Sequence, residues 1–182
     1  MTAVPPQPER KVILALGSNL GDRLANLQRG LDALSAEPGL TPVAVSGVFQ
    51  TSPVGGPAQP DYLNAVLLAV SDLPAVAILS RCLAAERGAG RVRIVRWGPR
   101  PLDIDVIACG AQISDDPALT LPHPRAAQRA FVLAPWHEID PDGCLPGVGR
   151  VADLLAVVGT DGIRRLAGVS LSSAQEADGL QR

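Results

Sequence analysis

The stretch from Thr51 to Pro60 limits what this chain can fold into more than any other. Its ten residues hold three prolines and two glycines and join two strand-like runs, Val43 to Phe49 and Tyr62 to Val70. Parallel neighbours need a crossover of a dozen or more residues, usually a helix. Proline removes helical N–H donors and glycine weakens a helix, so no crossover helix fits here. A doubly wound parallel sheet is thereby disfavoured against a mainly antiparallel one.

The flanking patterns agree. Lys11 to Leu16 is an apolar run ending at Gly17, the mark of a buried strand. Asp22 stands where it can cap a helix whose apolar positions Leu24, Leu27, Leu31 and Leu34 follow helical spacing, and Pro38-Gly39 ends it. A second helix starts near Asp72 or Leu73, with Pro74 at its first position, and runs to about Arg87. Leu102 to Ala108 alternates as a fourth strand, and Gly110 to Ile113 is expected as a small hairpin or edge strand. Leu119 to Pro124 should be extended, Arg125 to Trp136 helical, and Val151 to Val158 a short closing helix. The order β-α-β, β-α-β fits a split-βαβ, ferredoxin-like α+β sheet.

One domain over residues 11–168 is expected, between a proline-rich tail (1–10) and a polar, frayed end (169–182). Apolar residues make up 47% of the 182, enough for a sizeable core. The net charge of −2 exerts no general pull on nucleic acid or membrane. Cys82, Cys109 and Cys144 lack metal-site spacing and no disulfide framework is indicated. The N-terminus carries no secretory pattern and the longest apolar runs are too short to span a bilayer, so the cytoplasm is the expected compartment.

Positive charge is local instead. Arg91, Arg93, Arg96 and Arg100 lie in a loop marked by Gly88, Gly90 and Gly98, and Trp97 sits among them. The loop leads into Asp103 and Asp105, whose i, i+2 spacing puts both on one face of a strand. Paired carboxylates suit a hard cation such as Mg²⁺, and arginines grip phosphates with two contacts at once. Either feature alone fits a solvated face; together they point to metal-assisted phosphoryl transfer. Trp97 is either a core plug or a stacking lid. Tyr62 and Asn64 share a strand face, where a ring can stack and an amide can both donate and accept. His123, Arg129 and Phe131 follow in Leu121-Pro122-His123-Pro124 and the segment beyond it. Glu86 could anchor the arginine loop or be simple surface charge. Gly17-Ser18-Asn19-Leu20-Gly21-Asp22 lacks the Gly-Lys-Ser/Thr ending of a phosphate loop and is assigned a structural part.

These strings, with Pro60-Asp61-Tyr62-Leu63-Asn64, Gly90-Arg91-Val92-Arg93 and Arg96 through Asp105, resemble the 6-hydroxymethyl-7,8-dihydropterin pyrophosphokinases of folate biosynthesis, in the family's order from about Val12 to Leu155. The resemblance implies a ferredoxin-like α/β/α sandwich and transfer of pyrophosphate from ATP to the pterin hydroxymethyl oxygen, releasing AMP. It implies that Asp103 and Asp105 hold two Mg²⁺ ions. Arg93, Arg96, Trp97, Arg100, Val106, Thr120, His123 and Arg129 fall at nucleotide positions, with Arg93 and Arg96 also catalytic. Thr51, Val54, Tyr62, Asn64, Trp97 and Phe131 fall at pterin positions, and Glu86 and Arg91 support the loop. Ser52, Ala118 and Pro124 depart from residues seen in other members. No nucleic-acid or membrane partner is implied; a folate-pathway neighbour is the one protein partner it brings to mind. Another Mg²⁺-dependent phosphotransferase, which would not need Tyr62, Asn64 and Phe131, and a catalytically silent pterin or nucleotide binder are the alternatives. A nucleic-acid binder using the arginine loop is disfavoured by the net charge.

Overall fold

The computed structural model describes residues 8–36, 38–53, 58–90 and 98–172. In chain order it contains β1 (Arg10–Ser18), α1 (Arg23–Ser35), β2 (Leu40–Val45), β3 (Phe49–Thr51), β4 (Tyr62–Ser71), α2 (Ala75–Gly88) and β5 (Asp103–Cys109). There follow β6 (Ser114–Asp116), β7 (Leu119–Leu121), a 3₁₀ turn (Ala126–Gln128), α3 (Ala130–Ile139), β8 (Cys144–Leu145), β9 (Gly149–Arg150), α4 (Val151–Val158) and β10 (Ile163–Arg165).

Every pairing described in the main sheet is antiparallel, in the order β10-β3-β4-β1-β5. The long strand β4 carries β1 on one side; on the other, β3 pairs its first residues and β2 its last. Since β1 and β2 are both antiparallel to β4, they run parallel to each other with β4 between them. β4 and β5 flank β1 in the same way, giving two interlocked split-βαβ units. The expected antiparallel α+β architecture is therefore present.

Alternation along the strands divides the interior into two apolar layers. Val12, Leu14 and Leu16 of β1 with Leu63, Ala65 and Leu67 of β4 pack against Leu27, Leu31 and Leu34 of α1 and Ile78 and Cys82 of α2. On the opposite face, Ile13, Val66, Leu68 and Ile107 pack against Val132, Leu133 and Trp136 of α3 and Val151 ahead in α4. Asp22 caps α1, its Oδ1 accepting from Ala25 N at 3.1 Å. Gly30 brings α1 close to β5: a Cβ there would lie 3.0 Å from both methyls of Leu102.

Several local expectations are corrected. Leu24 is 36% exposed and stands outside the core stripe. The run from Val43 to Phe49 is two strands, because Ser46 leaves the ladder: its N–H donates to Val66 O and its hydroxyl accepts from Val66 N, both at 2.9 Å. Gly110 to Ile113 is a turn, and the hairpin lies just beyond it in β6 and β7. The expected helix from Arg125 to Trp136 is broken at Arg129, which is extended (φ −114°, ψ 100°) between the 3₁₀ turn and α3. The polar C-terminal stretch is anchored at its start. Leu171 is buried in the layer under α1, and Ser172 exchanges hydrogen bonds with Gln28.

A clamp fixes β10, the outermost strand. Glu138 of α3 accepts from Gly47 N at 2.8 Å and from Arg165 Nε at 2.7 Å. The Arg165 guanidinium lies where a Cβ on Gly47 would fall, 2.7 Å away. The hydrogen bond from Arg165 holds the Glu138 carboxyl below the usual carboxylate range, with the Gly47 N–H assisting and partial burial opposing. A carboxyl depressed in this way stabilises the fold above the ordinary carboxylate range, and the gain is lost as pH falls through its folded pKa. Glu138→Gln is therefore expected to lower stability at neutral pH, with the gap from the parent closing below about pH 4. Urea denaturation across a pH series measures this; a constant gap would mean packing, not charge, makes the difference.

Candidate active site

Among the described residues, the helices cover part of the second face of the sheet. α3 seals Ile13, Val66 and Leu68. The continuation of the same strands past α3 presents Ala15 and Gly17 of β1, Tyr62 and Asn64 of β4, Thr51 of β3, and Asp103 and Asp105 of β5. Register puts them together: Gly17 pairs with both Asn64 and Asp103, Ala15 with Asp105, and Thr51 with Tyr62. All seven line a cleft of about 880 Å³. Gly17 and Ala15 are small enough to form its floor; a Cβ on Gly17 would stand 3.3 Å from Asn64 Oδ1.

One end of the cleft is charged. Arg100 Nη1 donates to Asp103 Oδ2 at 3.0 Å and Arg129 Nη1 to Asp105 Oδ2 at 3.2 Å. His123 Nε2 lies 3.7 Å from the same Asp105 oxygen. Burial, with the Asp103 charge adding to it, raises the Asp105 pKa; His123 and Arg129 oppose this. His123 shifts down, chiefly through burial, although Asp105 pulls it up. Its Nδ1 accepts from Arg125 N at 3.1 Å, so a neutral ring carries its proton on Nε2, on the side of Asp105. The break at Arg129 explains that side chain's reach, because its position at the head of α3 turns it toward β5.

Glu86 is neither a surface charge nor remote from the aspartates. It is 4% exposed, and its Oε1 accepts from Ile104 N, between Asp103 and Asp105, at 2.8 Å. It thus supplies an acceptor on the side of β5 away from β1 and fixes the backbone that bears both carboxylates. Further along the same outer edge, His123 N donates to Ile107 O at 2.9 Å, which sets the imidazole beside β5.

The same cleft also carries a buried amide and two rings. Asn64 is 5% exposed and donates through Nδ2 to Thr51 Oγ1 at 2.9 Å. Tyr62 and Phe131 also line this cleft, and the Arg129 guanidinium carbon stands 5.5 Å from the Phe131 centroid. Val158 at the end of α4, Asp161 and Gly162 in the turn after it, and Ile163 of β10, which no sequence pattern marked as site residues, add a wall.

Two expected residues are not in the cleft. Val106 alternates to the other face of β5 and is 4% exposed beneath the first apolar layer. Thr120 is not among the lining residues, and its hydroxyl donates to Asp116 O at 3.1 Å. Val54, Arg91, Arg93, Arg96 and Trp97 lie outside the described residues.

Comparison with known proteins gives the family. Residues 13–141 match the model of the family 7,8-dihydro-6-hydroxymethylpterin-pyrophosphokinase (HPPK). The chain belongs to the HPPK family. A 2-amino-4-hydroxy-6-hydroxymethyldihydropteridine pyrophosphokinase of Methylorubrum extorquens is 43% identical over 157 residues, covering 86% of this chain and 98% of the relative. One from Mycobacterium leprae is 49% identical over 151 residues, 77% of each chain. Among solved structures, wild-type Plasmodium falciparum HPPK-DHPS with pterin and p-hydroxybenzoate aligns at a TM-score of 0.65 and 11% identity, over 90% of this chain. The same protein with SDX-DHP aligns at 0.66 and 11%, over 89%. At that identity the two structures speak for the HPPK fold alone, and this chain spans about half of each, 46% and 48%.

Proposed function

We propose that this HPPK-family enzyme joins its substrates across the open end of the sheet. It transfers pyrophosphate from ATP to the hydroxymethyl group of 6-hydroxymethyl-7,8-dihydropterin, yielding AMP and the pterin diphosphate for folate biosynthesis. The observation that carries this is the register of β1, β4 and β5. It sets Asp103 and Asp105 across β1 from Asn64 and Tyr62, in one cleft that Arg100, His123, Arg129 and Phe131 also line.

At the charged end, Arg100 and Arg129 meet the phosphates, and the Nε2–H of His123 donates to a phosphate oxygen. Beside them, Tyr62 and Phe131 hold the pterin ring, Asn64 pairs with its polar edge, and Thr51 orients the amide. The side chains bring two reactants into line and offset charge as it grows, which is most of what phosphoryl transfer requires. Asp103 and Asp105 suit Mg²⁺, two ions in this scheme. Among the described residues no group of three or more metal-ligating side chains forms, so phosphate oxygens and water would complete the shell. Bound there, Mg²⁺ would neutralise phosphate charge and acidify the hydroxyl. Arg93, Arg96, Trp97, Val54 and Arg91 complete the scheme by family position. Cytoplasmic residence is part of the same proposal.

The test is nucleotide product analysis. With ATP and Mg²⁺, AMP should form only when the pterin is present. ADP in its place would mean a different phosphotransferase, and pterin binding without turnover would mean a silent binder.

A further inference from the structure

Asn19 follows directly on β1, is fully buried, and is bonded to two loops distant in sequence. Its Nδ2 donates to Gln59 Oε1 at 2.9 Å and to Pro60 O at 3.2 Å. Its Oδ1 accepts from Arg100 N at 2.9 Å, and its own N–H donates to Arg100 O at 3.1 Å. Gln59 and Pro60 return the 51–60 loop to β4, just before Tyr62 and Asn64. Arg100 returns the arginine-rich loop to β5, just before Asp103. The partners lie 40 to 81 residues away in sequence. A loop asparagine that merely satisfies itself bonds locally; this one ties the pterin-side return to the phosphate-side return.

We infer that Asn19 is a positioning residue that sets the spacing between the two halves of the site. The inference rests on the pyrophosphoryl-transfer function proposed above. Asparagine is suited to this because one short side chain must donate on one side and accept on the other. Aspartate can only accept when ionised, and alanine can do neither. Asp61 is held separately, by Arg23 and Gln50, so the link through Pro60 can be loosened without unseating β4.

The two substitutions should therefore separate. Asn19→Asp keeps the bond from Arg100 N and loses both donations to the 59–60 return. Its KM for the pterin should rise about tenfold or more while its KM for ATP stays within about twofold, a loss comparable to one hydrogen bond. Asn19→Ala loosens both returns and should lower kcat about 10²-fold, the scale of a small misplacement of reactants. Amide hydrogen exchange provides a second readout: residues 58–61 should exchange faster in both variants, and Arg100 faster only in Asn19→Ala. Equal changes in both KM values for Asn19→Asp, or rate losses that follow only the folded fraction, would overturn the assignment. A parent enzyme that makes no pterin-dependent AMP would overturn the reaction and the positioning role together.

Discussion

Replacing Asp105 by alanine is expected to lower kcat by about three orders of magnitude and leave the fold intact. Metal and charge stabilisation at a transferring phosphoryl group is worth several kcal/mol, and each ~1.4 kcal/mol is a factor of ten. The carboxylate is 36% exposed and belongs to neither apolar layer, so its removal opens no core cavity. Burial and the neighbouring Asp103 already raise its pKa, so the pair costs the free enzyme something that the substitution relieves. What is lost is the partner of Arg129 and His123, and a pair only partly exposed, as this one is, contributes on the order of 1 kcal/mol. Turnover at saturating ATP and pterin, with urea midpoints alongside, separates the two effects. Near-parental kcat would remove Asp105 from the reacting centre.

Arg129→Gln should move two quantities in opposite directions. A charged hydrogen bond to phosphate is worth roughly 1.5–3 kcal/mol, so kcat/KM for ATP should fall about 10- to 10²-fold. The same guanidinium, however, donates to Asp105 Oδ2 at 3.2 Å, where it would compete with any cation for that oxygen. Mn²⁺, used as a spectroscopic stand-in for Mg²⁺, should then bind the nucleotide-free variant at least as tightly as the parent. If Mn²⁺ affinity dropped along with kcat/KM, Arg129 would be building the carboxylate site rather than yielding it to a metal.

Features governed by local rules were legible in the sequence. The Asp22 cap, the short helix from Val151 to Val158, the common face of Asp103 and Asp105, and the antiparallel pairing forced by the proline-rich loop all follow from spacing or turn chemistry. Features created by distant partners were not. Nothing within a few residues of Asn19 shows that its amide will meet Pro60 and Arg100. Strand β10 is a three-residue, mostly charged segment, which becomes a strand because Glu138 and the edge of β3 receive it. The break at Arg129 has no glycine or proline to announce it, and Arg125 to Trp136 carries a helical pattern on both sides. Leu171 is one of a few apolar residues in a mostly polar tail, and its burial depends on the layer beneath α1 that only the assembled fold provides.

The way Glu86 meets β5 also bears on how copies of the chain behave toward one another. An outer strand with free backbone groups is a template on which another chain can add itself. β5 is such a strand, yet Glu86 takes its Ile104 N–H and the backbone of His123 takes its Ile107 carbonyl. At the far end, β10 is three residues long and carries Arg164 and Arg165, and β2, which borders the remaining stretch of β4, is interrupted by Pro42. The same contacts that hold the two carboxylates still therefore leave few backbone sites for a second sheet to zip onto. A Glu86→Gln variant would retain an acceptor for Ile104, whereas Glu86→Ala would free that edge for intermolecular pairing.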